Sequence, residues 1–260
     1  IRAKGLHSFW SDAQVENWYV VYNQAGRRAG WYVDRRRRMP DGTFAGERVR
    51  VYQGRLTEES WKLSDDARRS KCWVTFYPSV LPLAGIEKRL ILSLENGKVE
   101  KTVEVRYRGG PQPKSLGPVP APKEYVPDGL ADLALYQAAV RGKKTVFVAV
   151  PHSDLSLDAI NFVEVLVRPL GGRVVVQQYA AATQTTAFDK DRTPVKITYS
   201  TGEFEQLSTA EEVVKLFPAA RLFLTSPGTP ATSPSAPAPI EAETQPADAA
   251  TDIPEAPANE

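Results

Sequence analysis

The chain has 260 residues, of which 42% are hydrophobic, 25% charged and 9% aromatic, a composition that excludes a fibrous or wholly disordered chain. Its only cysteine is Cys72, which excludes an intramolecular disulfide and a Cys-rich zinc site. The formal net charge of +2 combines a basic segment, residues 1–224 with a net charge of +8, and an acidic one, residues 225–260, that has no Lys or Arg.

Antiparallel strands are predicted in the N-terminal third. Aromatic and β-branched residues fill positions 18–22 and 30–34, and the polar, Gly-containing stretch between them indicates a β-hairpin. Met39-Pro40-Asp41-Gly42 predicts a turn, because Pro presets φ and Gly accepts a positive φ. Strands are then expected at residues 47–56 and 71–77.

The clearest local element is a hairpin over residues 89–107. Asn96-Gly97 is the pair that a type I′ turn prefers, since both of its central residues need a positive φ. After the turn, the odd-numbered residues from Val99 to Tyr107 point to one side and the even-numbered ones to the other. This period-2 alternation predicts an antiparallel strand with one buried face.

Residues 109–127 contain six prolines, so we expect a long extended loop there. Asp128 then begins a predicted amphipathic helix that includes Leu133, continues to about Arg141 and ends at Gly142. The helix separates two blocks of strands, and we therefore expect it to pack across one face of a curved sheet.

Four strands are predicted after the helix, at residues 145–150, 161–168, 173–179 and 195–199, followed by a short one at 203–207. Ser208 and Glu211 form a capping box for a second, short helix through Phe217. The last 36 residues include eight prolines and no aromatic residue, so they cannot bury enough apolar surface to offset their ordering entropy.

These elements predict an α+β fold in which a curved antiparallel sheet of roughly 8–10 strands, a half-barrel, wraps a central helix. A short C-terminal helix completes this domain, which spans residues 1–224. Residues 225–260 are expected to form a disordered acidic tail rich in Pro and Ala.

One enzymatic hypothesis concerns Cys72, because transglutaminase-like enzymes carry a Cys-Trp pair at the nucleophile and Trp73 follows here. His152 with Asp154 or Asp158 would complete a Cys/His/Asp set. The β-branched and aromatic run 72–77 instead places Cys72 inside a strand, where a cysteine is a small hydrophobe. Two scattered histidines do not predict a metal site, and we expect no cofactor and no catalysis.

A second hypothesis concerns six arginines within twelve residues: Arg27, Arg28, Arg35, Arg36, Arg37 and Arg38. Arginines beside aromatic residues are typical of surfaces that bind a polyanion or an anionic lipid. On a strand, however, Arg35 and Arg37 face away from Arg36 and Arg38, and charges on edge strands also prevent aggregation. We do not expect nucleic acid to be the partner.

Large aromatic side chains usually build a core, but they also line apolar pockets between a curved sheet and its covering helix. Five side chains are candidates for such a lining: Trp18, Trp31, Val103, Val105 and Leu133. Their ligand would be a lipid or an apolar peptide.

Two segments resemble the β-clam domains of the bacterial cell envelope, the group around the LolA/LolB lipoprotein carriers. Residues 18–22, Trp-Tyr-Val-Val-Tyr, precede Gly26-Arg27-Arg28-Ala29-Gly30-Trp31-Tyr32 in a "WY…Y…G.R.G" pattern. Residues 194–204 are similar to the closing hairpin of these domains, with Thr201 in place of the usual Asp before Gly202. The resemblance implies a half-barrel around a helix, a periplasmic or other extracytoplasmic location and an apolar ligand.

The leading expectation is therefore a non-enzymatic binding or scaffold domain of the cell envelope. An acyl chain, an apolar peptide or an envelope protein would be its partner, and we expect no transmembrane segment. The chain starts at Ile1 without a signal-peptide pattern, so either a targeting segment has been removed or the sequence is an excerpt.

Overall fold

A computed structural model describes residues 5–10, 14–77, 87–107, 110–180 and 182–224, all within one compact unit. The predicted tail lies outside these residues. The described residues form fourteen strands, joined by turns and, between the eighth and the ninth, by a segment that contains a helix. Their bounds are β1 Val15–Tyr22, β2 Arg28–Arg38, β3 Phe44–Tyr52, β4 Arg55–Leu63, β5 Ser70–Tyr77, β6 Glu87–Glu95, β7 Lys98–Tyr107, β8 Gly110–Pro120, β9 Thr145–Ala149, β10 Val163–Gly171, β11 Val174–Tyr179, β12 Ala182–Phe188, β13 Pro194–Tyr199 and β14 Phe204–Ser208.

All fourteen strands belong to one curved, unclosed antiparallel sheet in the order β8-β7-β6-β5-β4-β3-β2-β1-β14-β13-β12-β11-β10-β9. Every neighbouring pair is consecutive in the chain except β1 and β14, which join the two halves. This confirms the predicted α+β half-barrel, with more strands than expected. One predicted strand is in fact two, β3 and β4, because Gln53 and Gly54 both have a positive φ and form a tight turn.

The predicted proline loop was wrong for residues 110–120, which form β8. Proline cannot donate to a ladder, but it is tolerated on an edge strand, and β8 pairs only with β7. The chain then reaches the opposite edge of the sheet. There the Val126 amide donates to the Val148 carbonyl at 2.8 Å, and the Val148 amide donates to the Glu124 carbonyl at 2.9 Å.

Helix α1, Ala131–Arg141, confirms the predicted central helix and ends at Gly142, whose φ is 61°. It begins after Leu130, so Asp128 does not cap it as predicted. Helix α2, Ala210–Leu216, is capped by Thr209, whose side chain accepts a hydrogen bond from the Glu212 amide, one residue later than expected. Neither these helices nor the short 3₁₀ turns of the described residues are long and apolar enough to cross a membrane.

The two faces of the sheet are covered differently. On the face that α1 contacts, here called the inner face, Leu133 packs with the apolar side chains of β4 to β7, while Leu135 and Ala139 pack on β9 to β12. The opposite, outer face of β1 to β4 is covered by α2 and the 3₁₀ turn Pro218–Phe223. Trp18 and Trp31 lie in this outer cluster.

A buried ion pair fastens the loop between β9 and β10 to the sheet. The Lys101 ammonium on β7 is fully buried and lies 2.7 Å from Oδ2 of Asp154, whose side chain is 7% exposed. Lys101 also donates to the Ala159 carbonyl, and the Asn161 side chain donates to Asp154. Because the Lys101 ammonium and the Asp154 carboxylate are both paired, these contacts hold the loop between β9 and β10 over the inner face.

We expect Lys101→Ala to lower the free energy of unfolding by about 3–5 kcal/mol, because it leaves the Asp154 carboxylate buried without its counter-charge. Chemical denaturation measures this change. The double variant Lys101→Met/Asp154→Leu should recover much of the loss, since neither charge then remains. The exposed Lys98 on the same strand provides the control, and Lys98→Ala should stay within about 0.5 kcal/mol of wild type. An equal loss in both single variants would contradict the role of this pair.

Candidate functional site

Three charged side chains cross the inner face in one row. In the register of the sheet, Asp34 on β2 lies opposite Arg48 on β3, and Arg48 lies opposite Glu59 on β4. Residues directly opposite each other in an antiparallel pair project from the same face. The middle of the inner face therefore carries charge, with apolar clusters on either side of it.

The first turn of α1 and the segment before it each add one carboxylate to this row, Asp132 and Asp128. Oδ2 of Asp132, in the first turn of α1, lies 3.5 Å from the Arg48 guanidinium, and Oδ1 of Asp34 lies 3.4 Å from the same group. Gly129 has a φ of +81°, and a Cβ there would stand 2.6 Å from the Trp61 ring. Glycine thus lets the backbone press against Trp61, which places the neighbouring Asp128 over the sheet.

His152 lies on the loop that Lys101 and Asp154 fasten. Its Nε2 atom is 2.8 Å from Oδ1 of Asp128, and its Nδ1 atom is 3.6 Å from Oε2 of Glu59. Nε2 is shielded from solvent, and its contact with Asp128 is an ion pair without an aligned hydrogen bond. We call these six residues the inner charge cluster: Asp34, Arg48, Glu59, Asp128, Asp132 and His152.

The environment of the cluster shifts the pKa of both His152 and Asp34. Burial disfavours the charged form of His152, but Asp128 and Glu59 outweigh it and raise the pKa of this imidazole to about 9. Burial raises the pKa of Asp34 to about 6 although Arg48 is near. At neutral pH, therefore, His152 is a cation that balances part of the excess of carboxylates.

A second polar group continues the inner face across β13 and β14. The Arg50 guanidinium donates to Glu205 at 2.6 Å, and the Tyr199 hydroxyl donates to the same carboxylate oxygen at 2.9 Å. Tyr19 and Tyr32 stack between the two groups with their ring centroids 4.3 Å apart. The polar side chains of the inner face thus extend across both halves of the sheet.

A basic pocket opens at one end of the inner face. The Arg36 guanidinium lies 4.6 Å from the centroid of the Trp10 ring, and Lys190 and Arg192 come from the turn between β12 and β13. Phe9 and Val15 are among its apolar lining residues. Burial lowers the pKa of Arg36 from its usual value, while Asp34 and Asp132 act in the opposite direction. This pocket combines three cations, Arg36, Lys190 and Arg192, with one carboxylate, Asp191, and an apolar wall.

The structure brings together part of the Cys72 set. Cys72, His152 and Glu59 offer donor atoms that all lie within 4.8 Å of one another. The predicted third members have other roles, because Asp154 pairs with Lys101 and Asp158 is exposed. Cys72 is 4% exposed, and burial followed by the charges of Asp128 and Glu59 raises the pKa of its thiol, the opposite of what a nucleophile needs.

The arginine run does not form one surface. Arg35, predicted to be part of a basic surface, is instead buried on the outer face, with Glu16 and Glu47 each 2.7 Å away and the Phe223 carbonyl as a further acceptor. Its neighbour Arg36 points into the basic pocket. The alternation that the sequence predicts therefore separates the members of the run, and Arg35 is not available to a partner.

The five apolar candidates for a ligand site are divided between two faces. Val103, Val105 and Leu133 pack together on the inner face, whereas Trp18 and Trp31 pack beneath α2 and the following 3₁₀ turn. The structure therefore does not bring all five to one cavity.

Sequence reasoning missed Asp34, Arg48 and Glu59, because charges that alternate along a strand normally indicate a solvent-facing side. The sequence did contain one signal. On β2, Tyr32 and Asp34 alternate with Trp31 and Val33, so both faces of this strand carry large side chains. Asp128 was recognised, but as a helix cap.

No protein-family model matches the chain, and no curated protein does either. Among solved structures, the chain is similar to the crystal structure of a beta-barrel-like protein of Domain of Unknown Function DUF1849 from Brucella abortus, with 12% sequence identity and a TM-score of 0.47. That match covers 75% of this chain and 95% of the other chain. The LolA/LolB resemblance stays a prediction, and the case for a site depends on the residues of this chain.

The half-buried Asp34 gives a test by pH. Its folded-state pKa of about 6 exceeds the ordinary value, so the folded state binds more protons than the unfolded state between about pH 4 and pH 6, and stability falls as pH rises through this window. Asp34→Asn cannot ionise. Its free energy of unfolding relative to wild type should therefore rise by about 2 kcal/mol from pH 4 to pH 7.

Asp41→Asn serves as the control, because hydrogen bonds from Thr43 lower the pKa of the exposed Asp41. Between pH 4 and pH 7, the free energy of unfolding of Asp41→Asn relative to wild type should not increase. Urea denaturation across this range measures both differences, and a flat Asp34→Asn difference would contradict the burial of this charge.

Proposed function

We propose that the chain is a non-enzymatic, extracytoplasmic binding domain that holds an anionic amphiphile in its basic pocket. The observation that carries the proposal is the Arg36 guanidinium 4.6 Å from the Trp10 ring, with Lys190 and Arg192 lining the same pocket. An acidic headgroup would contact the cations, and an apolar chain would lie along Phe9, Trp10 and Val15. The extracytoplasmic location follows from the resemblance to envelope β-clam domains.

The charges of the pocket favour a compact anion over a long polyanion. A polyanion binds to several exposed cations along its phosphates. Arg35, in the middle of the arginine run, is buried and cannot contribute to such a row. Arg36, Lys190 and Arg192 instead line one concave pocket, which fits a single headgroup. A guanidinium that already contacts an aromatic ring is preorganised for such a contact.

The state of Cys72 supports a binding role over an enzymatic one. A thiol nucleophile needs a lowered pKa and an exposed sulfur. Here the side chain is 4% exposed, and the pKa of the thiol is raised. The carboxylates beside it would repel a thiolate.

Binding of a long-chain fatty acid, compared with the alcohol of the same chain length, tests the proposal. The acid should bind, as followed by tryptophan fluorescence and calorimetry, and the neutral alcohol should bind at least about tenfold more weakly. Arg36→Gln should weaken binding of the acid by roughly 10- to 100-fold, because a charge-assisted hydrogen bond contributes about 1.5–3 kcal/mol. Added salt should weaken the acid more than the alcohol.

Arg28→Gln is the matched control, since Arg28 is exposed at the other end of the same strand, β2. It should leave the affinity unchanged. Equal binding of acid and alcohol, an equal loss in both variants, or no binding of either compound would contradict the proposal, and the last outcome would favour a scaffold.

A further inference from the structure

The donor atoms beside Cys72 form a second site that does not depend on the basic pocket. Cys72 on β5 and Glu59 on β4 both project from the inner face, and His152 reaches them from the loop after β9. The thiol sulfur, an imidazole nitrogen and a carboxylate oxygen all lie within 4.8 Å of one another. These are the three types of ligand atom that zinc binds in proteins.

The separations suit one shared ion. Bond lengths of about 2.0–2.3 Å and tetrahedral angles put the ligand atoms of a zinc ion roughly 3.3–3.6 Å apart. Nδ1 of His152 is 3.6 Å from Oε2 of Glu59. The sulfur of Cys72 lies within 4.8 Å of a ring nitrogen of His152 and of a carboxylate oxygen of Glu59, so rotation of side chains can bring the three donors onto one ion.

Asp128 lies beside the other nitrogen of the imidazole. With Nδ1 directed at the ion, Nε2 would keep its proton 2.8 Å from Oδ1 of Asp128, and a small rotation of the ring would align the two for a hydrogen bond. Histidines that bind metals commonly donate their second N–H to a carboxylate, which fixes the ring and makes the bound nitrogen a better ligand. In this cluster Asp128 thus has the position of the outer carboxylate in a carboxylate–histidine–metal set.

The charge around the site also favours a cation. The inner charge cluster contains four carboxylates, Asp34, Glu59, Asp128 and Asp132, against the cations Arg48 and His152. To bind the ion, Cys72 must lose its thiol proton and His152 one of its two ring protons. The two positive charges of the ion then replace those of the two protons, so the net charge of the site is unchanged. The His152 side chain is 31% exposed, so the site borders solvent.

We propose that Cys72, His152 and Glu59 bind a zinc-like transition-metal ion with three protein ligands and a fourth position open to water. A soft thiolate beside imidazole and carboxylate selects zinc over magnesium or calcium, which prefer oxygen ligands alone. The ion would cross-link β4, β5 and the loop after β9 at the centre of the inner face.

Cobalt(II) titration of chelator-treated, full-length protein tests the site. Because Cys72 is the only cysteine, a thiolate-to-cobalt charge-transfer band in the wild type identifies its sulfur as a ligand without any variant. We expect one Co²⁺ per chain, displacement of Co²⁺ by Zn²⁺, and loss of the band in Cys72→Ser. Asp128→Asn should weaken binding by about 10- to 100-fold, as loss of an outer carboxylate does.

Two matched pairs of variants separate this site from adventitious binding. His152→Gln should abolish tight binding, whereas His7→Gln, which changes the only other histidine, should not. Glu59→Gln should weaken binding. Glu58→Gln should not, because Glu58, the residue before it on β4, instead accepts a hydrogen bond from the Tyr77 hydroxyl. Circular dichroism confirms the fold of each variant.

The wild-type titration decides the question even where a variant fails to fold. Absence of the charge-transfer band in the wild type would overturn the proposal and leave Cys72 as a core thiol beside an ion-pair network. A band that persists equally in His152→Gln and His7→Gln would overturn the ligand set. Neither result bears on fatty-acid binding in the basic pocket, so the two proposals fail separately.

Discussion

The half-barrel depends on the pairing of charges in the middle of its inner face. Asp34, Arg48 and Glu59 stand on three adjacent central strands, where a curved sheet would ordinarily place apolar side chains. A half-buried charge is costly unless a counter-charge lies within a few ångströms. The segments that cover the sheet supply those partners, Asp132 from α1 and His152 from the loop after β9. The covering elements are therefore held by charge as well as by apolar packing.

This constraint explains how the rest of the inner face is arranged. Apolar clusters lie on both sides of the charges, one around Trp61 and Leu133 and one around Leu135 and Phe147. Helix α1 contributes to both, so its position sets the distance between the two halves of the sheet. The Lys101–Asp154 pair fixes the loop that carries His152. This buried ion pair therefore also positions His152 for its contacts with Asp128 and Glu59. On the outer face, α2 and the following 3₁₀ turn cover β1 to β4 with apolar side chains, and the buried Arg35 is paired there with Glu16 and Glu47.

The sequence predicts elements whose signals are local. The Asn96-Gly97 hairpin and the helix that ends at Gly142 follow from backbone preferences, and both are confirmed. Strand β8 was missed because six prolines indicate a loop unless the strand is known to lie at an edge, which is a property of the whole sheet. The inner charge cluster was missed for a related reason. Which face of a strand is covered depends on segments about a hundred residues away. The alternation of polar and apolar residues therefore cannot tell a solvent-exposed face from one whose charges pair with those distant segments.

Both proposed sites use this charged interior: the basic pocket lies at its end, and the thiol, imidazole and carboxylate lie at its centre. The most direct measurement of the account is the protonation of His152, followed by NMR in chelator-treated protein, with the His7→Gln variant used to assign the ring. The account predicts that the His152 ring stays protonated through neutral pH and titrates at a pKa of about 9, because Asp128 and Glu59 flank it. Titration at or below the ordinary value of about 6.5 would show that these carboxylates do not hold the imidazole and would contradict the account.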